Sequence, residues 1–181
     1  MFKQVEIPLS KSKLVLILLG SLAFVAIGFW LISSFITEPL GRHNHILSML
    51  AGFASCIFFG FIAIFLIIKL FKNERIGLII NEQGIFDNSS GVASGQILWE
   101  DLLEIEVLEV GRQKFIALFV KNPEDYIKRQ TNLITRKGMG MNYKMYGTPI
   151  QLGANTLTCN FETLKELVER GFKNYKISGN K

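Results

Sequence analysis

Apolar positions come first in long unbroken runs and later in short, interrupted ones. Leu14 to Ile36 and Ile46 to Ile68 each extend for 23 residues without a charged side chain. At about 1.5 Å rise per residue, a run of that length covers the roughly 30 Å hydrocarbon core of a bilayer, so each predicts a membrane-spanning helix. A cleaved signal peptide is the competing reading of the first run, since Lys3, Lys11 and Lys13 precede it. A signal core is only about 7 to 15 residues long, whereas this run continues through Phe29, Trp30 and Leu31 and is followed by a second span. The expectation is an uncleaved anchor.

Thr37 to His45 is too short a connection for anything but an antiparallel hairpin, so both ends of the pair share one side of the membrane. Lys3, Lys11 and Lys13 precede the first span, Lys69, Lys72 and Arg75 follow the second, and the loop holds Arg42 alone. By the positive-inside rule both termini are expected in the cytoplasm. Lys69 and Lys72 would snorkel to the headgroups of the inner leaflet. In the second span Ser48, Gly52, Cys56 and Gly60 form a stripe of small residues at four-residue spacing, a surface on which two helices approach closely in lipid. Its partner is either the first span of the same chain, through Gly20 and Gly28, or a second copy.

From Ile76 onward the apolar runs shorten and are separated by Gly and Asn, the texture of strands joined by turns. Strands are expected at 76–80, 84–87 and 97–99. Leu103, Ile105 and Val107 alternate with Glu104 and Glu106, which predicts a strand with one face in a core. Phe115 to Val120 is apolar on both sides, as a central strand would be. Pro123 opens a short helix toward Arg129. The stretch from Thr131 to Gly147 has no clean period and is expected to be an irregular connection. Short strands follow at 148–152 and 156–159. Asn160 caps a helix from Phe161 to about Arg170, with Gly171 as its stop. The whole is a membrane helical hairpin (1–75) followed by an α+β domain (76–181), an antiparallel sheet or open barrel closed at one end by a C-terminal helix.

Three segments carry a resemblance: Gly77-Leu78-Ile79-Ile80-Asn81-Glu82-Gln83-Gly84-Ile85, Lys121-Asn122-Pro123-Glu124-Asp125-Tyr126 and Met145-Tyr146-Gly147-Thr148-Pro149-Ile150. With the Leu98-Trp99-Glu100-Asp101-Leu102 step and the two spans, the chain resembles bacterial membrane proteins of unassigned function that have two N-terminal transmembrane helices and a cytoplasmic PH-like domain. The resemblance implies a PH-like fold and the inner membrane of a bacterium. It implies nothing about activity, because a fold does not fix a function.

In a chain of 181 residues that is 49% hydrophobic with a net charge of +5, the two membrane-length runs exclude a wholly soluble protein, a secreted disulfide scaffold and a large enzyme. Cys56 and Cys159 lie in different domains, so the two thiols are expected to be free, in a reducing compartment. His43 and His45 are the only histidines, and two ligands without a nearby Cys or acid do not make a zinc site. A hydrolase would need a base beside a nucleophile, and no histidine follows Phe71. Glu100, Asp101, Glu104, Glu106 and Glu109 read as a solvated or docking face rather than an acid/base pair. Arg136 to Met141 contains two glycines but neither phosphate-loop pattern. No cofactor or metal is expected.

The basic excess is more informative. Arg112, Lys114, Lys121, Lys128, Arg129, Arg136, Lys137 and Lys144 stand against only Glu124 and Asp125. Beside an anionic leaflet each well-placed cation is worth about 1 kcal/mol. The expected function is a non-enzymatic binding module for a protein partner, the anionic membrane surface, or both. Its surface would be drawn from Lys69, Lys72, Arg129, Arg136, Lys137, Tyr143 and Lys144. A self-protection component that neutralises a toxin is the alternative, and a membrane-bound enzyme comes third. Membrane lipids, a protein partner and a second copy meeting through the transmembrane helices are the expected contacts. Nucleic acid is not expected, for want of a basic and aromatic groove.

Overall fold

In the computed structural model, residues 4–37, 45–71 and 76–179 are described. The chain divides into two units: Lys11–Glu74, and Arg75–Lys181 together with the chain before Lys11.

The first unit is a pair of helices, α1 (Lys11–Thr37) and α2 (His45–Phe71). Both are long and apolar enough to cross a membrane. Leu16, Phe29, Ile57 and Phe58 expose most of their surface, an apolar exterior that suits lipid and not water. The helices cross at Gly28 and Gly52, where a Cβ on Gly52 would lie 2.7 Å from the Gly28 carbonyl oxygen. Absent side chains let the two backbones meet. On one side of this crossing the Ser55 hydroxyl donates to the Phe24 carbonyl (2.9 Å), the Cys56 thiol donates to the Val25 carbonyl (3.6 Å), and Phe24 stacks on Phe59 at 4.3 Å.

The second unit begins before the first span. Strand β1 (Val5–Pro8) pairs antiparallel with β2 (Ile76–Ile80), Val5 opposite Ile80 and Pro8 opposite Ile76. Residues 5–8, assigned from sequence to the hairpin domain, thus belong to the sheet, and Ile7 is buried in its core. The pair continues through β3 (Gly84–Asp87) and β4 (Gly95–Leu98) as a four-stranded antiparallel sheet in the order β1-β2-β3-β4.

A single 3₁₀ turn over Trp99–Asp101 leads into a second antiparallel sheet: β5 (Leu102–Val110), β6 (Gln113–Val120) and β7 (Ile150–Leu152), in that order. Strand β6 is central, as its two-sided apolarity predicts, with Ile116, Ala117 and Leu118 fully buried. Between β6 and β7 lie α3 (Pro123–Lys128) and α4 (Leu133–Tyr146). The last short strand expected at 156–159 is reduced to one bridge, Leu157 with Leu9.

Helix α5 (Phe161–Gly179) closes the unit. Asn160 Oδ1 accepts from the Thr163 N–H (2.8 Å) and caps it. The helix does not stop at Gly171, which sits inside it under Trp99: a Cβ there would lie 2.8 Å from Trp99 Cζ2. That glycine is a packing site and not a terminator. Trp99 itself is buried, its indole N–H donating to the Asn81 carbonyl (2.8 Å) and its ring 6.0 Å from Phe172 of α5.

Candidate functional site

The stretch from Thr131 to Gly147, expected to be irregular, is the helix α4 and its two caps. Asn132 Oδ1 accepts from the Ile134 N–H (2.8 Å) at the start. At the end Gly147, at φ 75°, donates its N–H to the Tyr143 carbonyl (3.0 Å), the left-handed close that glycine adopts without strain. One face anchors the helix: Met139 is fully buried and the Thr135 hydroxyl donates to the Gly91 carbonyl (3.3 Å). Tyr143, which the sequence offered as a surface residue, is half-buried.

The opposite face carries a second apolar set. Leu133, Ile134, Met141 and Met145 are 55% to 69% exposed. At about 100° per residue, Ile134, Met141 and Met145 fall within a narrow arc, with Leu133, Lys137 and Lys144 along one flank of it. Arg136, Lys137 and Lys144 are exposed, and among the described residues none of the three forms an ion pair. A 14-residue helix is therefore held by one apolar face while presenting another, fringed with unpaired cations. An apolar strip of that kind is costly to leave in water and is usually covered by something.

The remaining residues singled out by sequence fall elsewhere. Arg129 is engaged within the domain: its guanidinium stacks 3.9 Å from the Tyr126 ring and donates to the carbonyls of Ser94 (3.1 Å) and Gln96. Lys69 is buried near the end of α2 with its ammonium 5.9 Å from the Phe65 ring, and Lys72 lies outside the described residues. Gly52 and Cys56 of the small-residue stripe face α1 of the same chain. A Cβ on Gly60 would meet nothing within 4 Å, so that glycine is off the crossing. His43 lies outside the described residues, and His45, at the first position of α2, has no described side chain.

No assembly of nucleophile, acid and base appears at α4. Among the described residues there is no group of three His, Cys, Asp or Glu side chains placed to hold a metal. The acidic series does not act as one face. Asp101 is buried, accepting from the Tyr126 hydroxyl at 2.9 Å and pairing with Lys121 at 3.2 Å, while Glu100, Glu104, Glu106 and Glu109 are exposed. The Tyr126 phenol is pushed above its ordinary value, chiefly by burial, a consequence of core packing. Compared with protein-family models, curated proteins and solved structures, the chain matches none.

Proposed function

We propose that this chain is a bacterial inner-membrane protein whose two spans tether a cytoplasmic, PH-like, non-catalytic module, and that α4 docks the module on an anionic membrane surface. The observation that carries the docking is the outer face of α4, where Ile134, Met141 and Met145 stand beside the unpaired cations Lys137 and Lys144. A surface-lying amphipathic helix works by that combination: its apolar side chains enter the acyl boundary while its cations meet lipid phosphates.

The two antiparallel sheets with a closing C-terminal helix support the PH-like reading. The β1–β2 pairing supports placing both termini on one side, because residues on either side of the two spans share one sheet. The excess of Lys and Arg at those ends over the single Arg42 of the loop supports reading that side as the cytoplasm.

The test is amide hydrogen exchange of the full chain in nanodiscs of phosphatidylcholine, with and without phosphatidylglycerol. Anionic lipid is expected to slow exchange across 133–146 and to leave β2 and β3 unchanged. The effect should vanish in 1 M salt, where the Debye length falls to about 3 Å. Identical α4 exchange in both lipids contradicts the docking and makes an acidic protein the better partner.

A further inference from the structure

Two side-chain amides stand where the packing calls for core residues. At about 100° per residue, Asn142 falls in the same arc of α4 as Thr135, Met139 and Tyr146, the side that anchors the helix. Thr135 and Met139 are buried there, and Asn142 is half-buried. In β7, Gln151 lies between the buried Ile150 and Leu152, opposite the fully buried Ala117 of β6. Both amides line one cavity of about 220 Å³, so helix and sheet each contribute a carboxamide to the same space.

The rest of the wall is uncharged. Phe115, two residues along β6 from Ala117 and on the same face, supplies a half-buried aromatic ring, and Val92 supplies a second apolar surface. Glycines bring both close: a Cβ on Gly153 would lie 3.3 Å from Phe115 Cδ1, and one on Gly138 of α4 would lie 2.9 Å from Val92 Cγ2. Ser90, Asn155 and Thr156 complete the lining, and each is tied down. The Thr156 hydroxyl donates to the Ser89 carbonyl (2.6 Å), Asn155 Nδ2 donates to Gln113 Oε1 (3.1 Å), and Ser90 Oγ accepts from the Val92 N–H (3.2 Å). Gln151 is different. Its Nε2 is buried and, among the described residues, has no hydrogen-bond partner. A buried donor without a partner costs stability, so its retention at a cavity wall points to a group that enters and accepts from it. The last torsion of a glutamine is broad, so the carboxamide can swing that donor into the cavity.

We propose that this cavity binds a nucleobase, free or as its nucleoside. Drug-sized ligands fill roughly 300 to 1,000 Å³, so about 220 Å³ takes a single ring system and not a dinucleotide. No lining residue is ionisable: a phosphate or carboxylate would lose its water with no cation to meet it, while a wholly apolar molecule would leave Gln151 unpaired. The ligand is therefore polar and uncharged. A carboxamide sets a donor beside an acceptor, the arrangement that makes two bonds with the edge of a base, and an aromatic side chain stacks on a base's face. Gln151 and Asn142 read the edge, and Phe115 carries the face. The ribose of a nucleoside stays at the mouth with Ser90 and Asn155, both exposed. The cavity lies on the inner side of α4 and does not rest on the docking of its outer face.

The test is isothermal titration calorimetry of the full chain in neutral detergent with adenosine, guanosine, cytidine and uridine. Ribose serves as the sugar alone, and indole as a fused ring without a base's edge. At least one nucleoside is expected to bind saturably, about tenfold or more tighter than ribose or indole, and its 5′-monophosphate to bind no tighter. Bound nucleoside should slow amide exchange at 150–156 and leave 76–80 unchanged. Gln151→Met and Asn142→Leu should each weaken the preferred nucleoside roughly tenfold, the effect of losing one two-bond contact. Melting temperature separates lost binding from lost folding. Gln151→Met removes an unpartnered buried amide and should melt no lower than wild type, whereas a glutamine needed for the fold would lower it. No saturable binding of any nucleoside, equal binding of ribose or indole, tighter binding of the monophosphate, or indifference to both substitutions overturns the proposal.

Discussion

The Tyr126 hydroxyl donates to Asp101 Oδ2 at 2.9 Å and accepts from the Leu98 N–H at 3.1 Å, tying α3 to the corner between the two sheets. Lys121 completes the junction from the end of β6 with its ion pair to Asp101 at 3.2 Å. The three side chains come from separate elements and converge on the 3₁₀ turn that carries Trp99. Their arrangement gives the Leu98–Leu102 step a structural role, as the junction between the two sheets.

Tyr126→Phe should cost about 1 to 3 kcal/mol at neutral pH, because Asp101 and the Leu98 N–H each lose a partner. The sign of the pH dependence follows from the raised phenol. The folded state holds the proton more tightly than the unfolded chain. Its stabilisation is therefore complete below the ordinary value of 10.0 and is lost as pH rises through the higher folded value. The gap in melting temperature between wild type and Tyr126→Phe should narrow above that pH. A gap that stays constant means that the phenol proton is not linked to folding.

Strand β1 makes the chain before the first span part of the domain fold. Ile7→Ala should destabilise the domain by about 2 to 5 kcal/mol, the range for truncating a buried aliphatic side chain. A fragment beginning at Ile76 lacks the strand that pairs with β2 and should be less protected from amide exchange at 76–80 than the full chain. Equal protection would mean that β1 adds nothing to the sheet.

The helix crossing gives a third test. Gly52→Leu places a side chain where the Gly28 carbonyl lies and should separate α1 from α2, whereas a Cβ at Gly20 meets nothing within 4 Å and Gly20→Ala should be silent. The rate of Cys56 alkylation in detergent reports the difference, since its thiol sits at the crossing. Faster alkylation is expected for Gly52→Leu only, and equal rates in both variants would place the contact elsewhere.

Gly171 and Trp99 give a fourth. Trp99→Ala should cost about 3 to 5 kcal/mol by emptying the space against α5. Gly171→Val should be destabilising although it raises helix propensity, because its Cβ would strike the indole. A stabilised Gly171→Val would show that the glycine only weakens the helix.

What the sequence made legible was what length and local period encode: the two spans, the β2–β3 hairpin, the central β6, the buried Trp99 and the Asn160 cap. Four features needed three dimensions. The Val5–Pro8 strand is short, ends in proline, and finds its partner only across both spans. Helix α4 has apolar residues on two faces and glycines at 138 and 140, so no single stripe stands out. Gly171 is a stop by propensity and a contact by packing, and packing decides. Leu103 alternates as a core residue would, yet the irregularity beside it turns it outward. At the candidate site the cations Arg136, Lys137 and Lys144 were readable from charge alone. That Arg129 is spent inside the domain, and that Met139 is buried while Met141 and Met145 are exposed, was not.

The most direct test of the α4 docking uses an environment-sensitive dye on a single thiol, Met141→Cys with Cys56→Ala and Cys159→Ser, in the full chain in nanodiscs. The account predicts blue-shifted emission in discs containing phosphatidylglycerol. The shift should reverse in 1 M salt, and Arg136→Gln, Lys137→Gln and Lys144→Gln together should abolish it, by loss of screened attraction. Emission that is the same in anionic and neutral discs, or unmoved by removing all three cations, contradicts it.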